Sequence, residues 1–215
     1  MSEKNTKKRN KTYSGIKAVL GGPAKLAFGL KAFGAENMPA DRGVLVCANH
    51  TAFCDCIVIS LATAVQVRYM AKKELFSTPI IGPLVKALGA YPVDRKGGDV
   101  GALRKTVAML ESGDAVGVFP QGTRHPGVDP RTTEVRHGVG LIAYRAKCDV
   151  IPLFIKTNNN HVCPFKKTHL HFGKPISYEE LGFTEGGKDE YKKAAEIIFD
   201  RVCTIGESLE GESNG

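Results

Sequence analysis

The chain has 215 residues, 42% of them hydrophobic, with 30 basic and 22 acidic side chains and a formal net charge of +8. That length bounds one domain able to bury a core without disulfides or a structural metal. Residues 1–35 hold eight basic side chains (Lys4, Lys7, Lys8, Arg9, Lys11, Lys17, Lys25 and Lys31) against Glu3 alone, and the near-neutral remainder argues against a nucleic-acid-binding surface.

Residues 1–12 read as a disordered basic arm. Residues 13–35 interleave lysines with Ile16, Val19, Leu20, Leu26, Leu30 and Phe33, in two short amphipathic stretches divided by Gly21-Gly22-Pro23. Neither reaches the roughly 20 apolar residues of a membrane span. Two readings stand side by side. The stretches lie in the headgroup plane of an anionic membrane, where each lysine adds on the order of 1 kcal/mol, or Leu26, Leu30 and Phe33 pack on the domain. The broken apolar run has no cleavage-like end, which argues against a secretory signal. A peripheral protein on the cytoplasmic side of a membrane is the expectation. The six cysteines (Cys47, Cys54, Cys56, Cys148, Cys163 and Cys203) form no C-x-x-C pair, in keeping with a reducing compartment.

Residues 36–206 alternate strand and helix patterns. Residues 44–48 are an unbroken apolar run, as in a buried parallel strand. Residues 53–64 read as a buried helix, 67–71 as a strand, 79–88 as a helix delayed or kinked by Pro83, and 90–93 as a strand. A helix over 100–110 and a strand over 115–119 follow, then a long loop over 120–133 of the kind that carries function or is disordered. Residues 137–146 read as a helix, 150–155 and 169–172 as strands, and the stripe of Tyr191, Ala195, Ile198, Val202 and Ile205 as a final helix stopped by Gly206. Residues 207–215 read as a tail. The pattern predicts a single α/β domain with a largely parallel central sheet flanked by helices and a basic amphipathic N-terminal segment.

The strongest chemical signal is Asn49-His50-Thr51-Ala52-Phe53-Cys54-Asp55. A neutral imidazole can take a proton from an alcohol near pH 7, and a carboxylate on its other nitrogen fixes the tautomer. Five positions along one helix would separate the two side chains by roughly 140°. His50 therefore belongs in the turn and Asp55 in the first turn of the helix, where the helix dipole favours its ionised form. Taken alone, the pair also fits a capping residue beside a turn histidine. Three further segments follow: Gly89-Ala90-Tyr91-Pro92-Val93-Asp94-Arg95, Val118-Phe119-Pro120-Gln121-Gly122-Thr123-Arg124 and Val150-Ile151-Pro152-Leu153-Phe154. In this order the four segments resemble the four blocks of the lysophosphatidic acid acyltransferase family of glycerolipid acyltransferases. The likeness runs over residues 36–176, about two thirds of the chain.

The resemblance implies transfer of a fatty acyl group from acyl-CoA or acyl-carrier protein to 1-acylglycerol 3-phosphate, giving phosphatidic acid. Glycerol 3-phosphate or another lysophospholipid is the alternative acceptor, and a non-catalytic lipid-binding module the alternative of another class. His50 would be the base acting directly on the alcohol, oriented by Asp55. A covalent route through Cys54 or Ser60 is the competing one. Arg95 and Arg124 would grip the acceptor phosphate, with Gly122 and Thr123 beside it and Lys72 as a weaker ligand. Arg136 either closes the pocket or caps a helix. The family's third block usually has glutamate where this chain has Gln121, which is read here as an acceptor-binding amide. Residues 150–154 read as a core strand before an acyl contact, and residues 80–88 as a packed helix before an acyl groove. No cofactor is implied. His169 and His171 share a strand face without a nearby carboxylate or cysteine, so no metal site is expected.

Overall fold

The computed structural model describes residues 11–93 and 100–211. Its strands are β1 (Lys31–Phe33), β2 (Val44–Ala48), β3 (Val67–Lys72), β4 (Tyr91–Val93), β5 (Ala115–Val118), β6 (Asp149–Lys156) and β7 (His169–Phe172). They form one sheet in the order β1-β7-β6-β2-β5-β3-β4. From β6 to β4 all neighbours are parallel, whereas β7 runs antiparallel to β6 and carries β1 parallel to itself. The helices are α1 (Lys11–Ala27), α2 (Asp55–Ala62), α3 (Ile81–Ala87), α4 (Val100–Glu111), α5 (Gly138–Ala146) and α6 (Lys188–Gly211). The single α/β domain with a largely parallel sheet is as the sequence pattern predicts.

Strand β2 shows why the sheet is so apolar. Leu45 and Cys47 face a core completed by Ala102 and Leu110 of α4, Val139 and Ile142 of α5, and Ala195 and Ile198 of α6. Val44, Val46 and Ala48 face the opposite core, which holds Val58 and Ile59 of α2. Both faces are covered, so every β2 residue is buried and no polar alternation survives. The same holds for residues 150–155 of β6, which makes the fourth sequence block a core strand.

The N-terminal region departs from its expected form. Gly21-Gly22-Pro23 does not divide it, and α1 runs through Pro23 as one helix. The carbonyl that Pro23 leaves without its helical partner belongs to Val19, which is 71% exposed, so water can satisfy it. Near its start α1 packs on α2, where the buried Tyr13 hydroxyl donates to the Ser60 carbonyl at 2.6 Å. Val19, Leu20 and Leu26 stay exposed. Residues 31–33, expected within the amphipathic segment, instead form the edge strand β1. Phe33 there stacks on His171 at 4.7 Å and meets His169 edge-on at 5.8 Å.

Two helix boundaries also differ in an informative way. Pro83 falls in the first turn of α3, where its missing N–H costs nothing. Gly206 does not stop α6, which continues to Gly211. A Cβ on Gly206 would come within 2.5 Å of the Phe154 ring, so glycine is there to let the helix close on β6. The expected tail is thus helical to residue 211, α1 already includes residues 11 and 12 of the arm expected over 1–12, and residues 1–10 and 212–215 lie outside the described residues.

Candidate active site

Because β2, β3, β4, β5 and β6 are parallel, their carboxyl ends share one rim, where ligands gather in open α/β sheets. At the end of β2 the fully buried Asn49 locks this rim. Its Nδ2 donates to the Ile155 carbonyl at 3.1 Å and its Oδ1 accepts from the Ile155 N–H at 2.8 Å, tying the chain to β6 at the point where His50 leaves the sheet. No local signal in the sequence marks Asn49 for this role.

Asp55 opens α2 with no solvent exposure. A buried carboxylate is costly unless donors surround it. Here Oδ2 accepts from the Thr51 N–H at 2.6 Å and the Ala52 N–H at 2.9 Å, while Oδ1 accepts from the Thr51 hydroxyl at 3.0 Å. His50 Nδ1 lies 2.8 Å from Oδ2. An ionised carboxylate can only accept, so Nδ1 carries the proton and Nε2 is left as the basic nitrogen. The imidazole stacks on Phe119 with ring centroids 3.9 Å apart and planes 10° from parallel. Nothing in the sequence beyond an aromatic residue after a strand announced that contact.

His50 borders a cavity of about 350 Å³ whose walls include Met70, Val93, Leu103, Val118 and Phe119. Its polar border is formed by Gly122 and Arg136. Gly122 adopts φ 72°, a left-handed turn that glycine enters without strain, and a Cβ there would come within 3.0 Å of Arg136 Cγ. Arg136 also donates its backbone N–H to the Pro120 carbonyl at 2.8 Å. Of the two roles open to it, Arg136 takes the one in the cavity wall.

The other sequence-selected residues fall out as follows. Thr123 and Arg124 are exposed on the loop after β5, just beyond Gly122. Lys72 is exposed at the carboxyl end of β3, in register with Val93 of the cavity wall. Arg95 lies outside the described residues, two positions beyond Val93. Gln121 requires a correction. It is 2% exposed, its Oε1 accepts from the His50 N–H at 2.6 Å and its Nε2 donates to Thr133 Oγ1 at 2.8 Å. Both ends of the amide are engaged inside the fold, so it is not presented to an acceptor. The reason is the tight turn after β5, which points residue 121 inward and residues 122–124 outward.

The covalent alternatives find no support. Burial, and then the Asp55 carboxylate beside it, push the Cys54 thiol above its ordinary range, away from the reactive thiolate. Ser60 is fully buried in α2. The arrangement can therefore do general-base chemistry at His50 Nε2, on a substrate whose apolar part fills the cavity.

A family model for the acyltransferase domain matches residues 30–156, which include the rim from β2 to β6. The chain belongs to the acyltransferase family. The resemblance carried by the four blocks is thereby borne out, and the protein is an acyltransferase enzyme. It is 32% identical over 185 residues to a 1-acyl-sn-glycerol-3-phosphate acyltransferase of Bacillus subtilis, covering 85% of this chain and 90% of that one. A protein of the same name from Streptococcus pneumoniae is 27% identical over 177 residues, 80% of this chain and 62% of that one. Among solved structures, the 1-acyl-sn-glycerophosphate (LPA) acyltransferase PlsC of Thermotoga maritima superimposes with a TM-score of 0.66 at 25% identity, covering 93% of this chain and 83% of its own.

Replacing Asp55 with asparagine keeps the shape but puts an NH2 where a donor must be met, and permits the wrong imidazole tautomer. Acyl transfer by Asp55→Asn should fall on the order of 10³–10⁴-fold in kcat, as measured by thiol release. Retention of wild-type kcat would remove Asp55 from the account.

Proposed function

We propose that this acyltransferase moves a fatty acyl group from acyl-CoA or acyl-carrier protein to the free hydroxyl of 1-acylglycerol 3-phosphate, giving phosphatidic acid. The observation that carries the reading is the His50–Asp55 pair, 2.8 Å apart, at the mouth of an apolar cavity. The names of its relatives supply the acceptor class.

His50 Nε2 takes the proton of the acceptor hydroxyl as its oxygen attacks the thioester carbonyl. The tetrahedral oxyanion then collapses, the carbon–sulfur bond breaks, and the imidazolium returns the proton to the leaving thiolate. Asp55 stays ionised throughout and stabilises the imidazolium. The apolar cavity receives acyl chain. Arg124, Thr123 and the Gly122 backbone, with Arg95 and Lys72, hold the acceptor phosphate, since guanidinium groups match phosphate oxygens in pairs. Arg136, beside Gly122 in the cavity wall, joins this set.

The acceptor is a membrane lipid, and the enzyme meets it as a peripheral protein on the cytoplasmic side. Among the described residues no helix is long and apolar enough to cross a membrane. Helix α1 instead presents Val19, Leu20, Lys25 and Leu26 to solvent, in a region whose sequence is rich in lysine, a combination suited to an anionic lipid surface.

Purified protein assayed with acyl-CoA and acyl-carrier protein, each crossed against 1-acylglycerol 3-phosphate and glycerol 3-phosphate, should turn over the lysophospholipid best. His50→Ala should lower kcat by at least about 10²-fold. Preference for glycerol 3-phosphate would reassign the acceptor, and undiminished transfer without the imidazole would overturn the mechanism. Removing residues 1–10 should weaken sedimentation with anionic vesicles and leave turnover of detergent-dispersed substrate intact. Equal attachment of the shortened chain would refute electrostatic anchoring by that arm.

A further inference from the structure

The peptide unit of His50 is gripped from both sides by the loop that follows β5. Its N–H donates to Gln121 Oε1 at 2.6 Å, and its carbonyl accepts from the His125 N–H at 2.8 Å. The line of hydrogen bonds continues past the Gln121 amide. Gln121 Nε2 donates to Thr133 Oγ1 at 2.8 Å, and that hydroxyl donates to the Pro130 carbonyl at 2.7 Å. Every proton on this line has one possible direction, because it starts at an N–H and ends at a carbonyl. A side chain in the middle must accept on the His50 side and donate on the Thr133 side. An amide does both, and a carboxylate does only the first.

The loop held in this way is itself fixed at a distance. Arg131, next to Pro130, is hydrogen-bonded to Asp200 and Glu207 of α6. Gln121 therefore joins a segment anchored on α6 to the backbone of the base. The same segment carries Gly122 in the cavity wall, Arg124 beyond it and, after Thr133, Arg136. We propose that Gln121 is a positioning residue for acyl transfer: through its amide it keeps the His50 imidazole in register with the loop that meets the acceptor. It acts through His50 and does not touch substrate. The requirement is steep, because displacement of a reacting group by about 1 Å can cost on the order of 10²-fold in rate.

This inference rests on the reading of His50 as the base, and two readouts keep the two apart. Gln121→Met matches the side chain in length and removes both donor and acceptor, whereas Gln121→Glu restores the acceptor for the His50 N–H. With 1-acylglycerol 3-phosphate as acceptor, Gln121→Met should lose about 10–100-fold in kcat with the acceptor KM changed by less than about threefold, and Gln121→Glu should recover most of that loss. Amide hydrogen exchange at His50 should accelerate in Gln121→Met and be slowed again in Gln121→Glu. A raised acceptor KM at unchanged kcat would mean that Gln121 meets the acceptor after all, and would overturn the proposal. So would unchanged exchange at His50. If the wild-type chain shows no acyl transfer, the functional reading fails by itself, while exchange at His50 still decides whether the amide holds that peptide. Should Gln121→Met not fold, Thr133→Val removes the next link in the line and carries the same pair of measurements.

Discussion

One buried carboxylate organises this site. Asp55 has no contact with solvent, and its negative charge is tolerable only because two backbone N–H groups, a hydroxyl and an imidazole N–H converge on it at 2.6 to 3.0 Å. Those donors come from Thr51, Ala52 and His50, so satisfying the charge also folds the turn between β2 and α2 into a single shape. The tautomer of His50 follows from the same interaction. The orientation of His50 and local folding are here one requirement, since a turn that failed to wrap Asp55 would leave an uncompensated charge in the core.

The sheet supplies what that turn cannot. Parallel order brings the ends of β2, β3, β4 and β5 side by side, so residues far apart in sequence face one cavity. The loop after β5 then reaches back over the end of β2. Phe119 covers one face of the imidazole, Gln121 and His125 hold the His50 backbone, and Gly122 turns the chain so that Thr123 and Arg124 stand in solvent. An apolar wall beside a cationic, solvent-facing loop is the arrangement that an amphiphilic acceptor and an acyl donor require.

How much of this was legible in the sequence depended on whether a residue's type dictated its surroundings. Residues 44–48 and 150–155 could be placed because a run of apolar residues of strand length, rich in β-branched residues, fits a strand covered on both faces. His50 and Asp55 could be paired because five positions cannot align on one helix, and the order of the four blocks made the acyltransferase resemblance specific. Three-residue β1 carries no periodicity, and nothing local distinguishes it from the end of an amphipathic segment. Pro23 and Gly206 signal helix breaks in isolation, but the exposed setting of Val19 in one case and the Phe154 ring in the other override the local preference. Gln121 departs from the exposed placement expected of it for a different reason. Its composition says that it can accept and donate, while the direction in which the turn after β5 aims it is a property of the assembled loop. The roles of Asn49 and Phe119 are illegible on the same ground, since their partners lie about a hundred and about seventy residues away in the chain.

Asp55 sets the protonation pattern of His50, and the ring nitrogens register that pattern. In an imidazole-¹⁵N NMR spectrum recorded where the ring is neutral, His50 should hold its proton on Nδ1 and leave Nε2 bare, and this preference should collapse in Asp55→Asn. A wild-type His50 protonated on Nε2 would contradict it, because the nitrogen facing the substrate would then have no lone pair to accept the alcohol's proton.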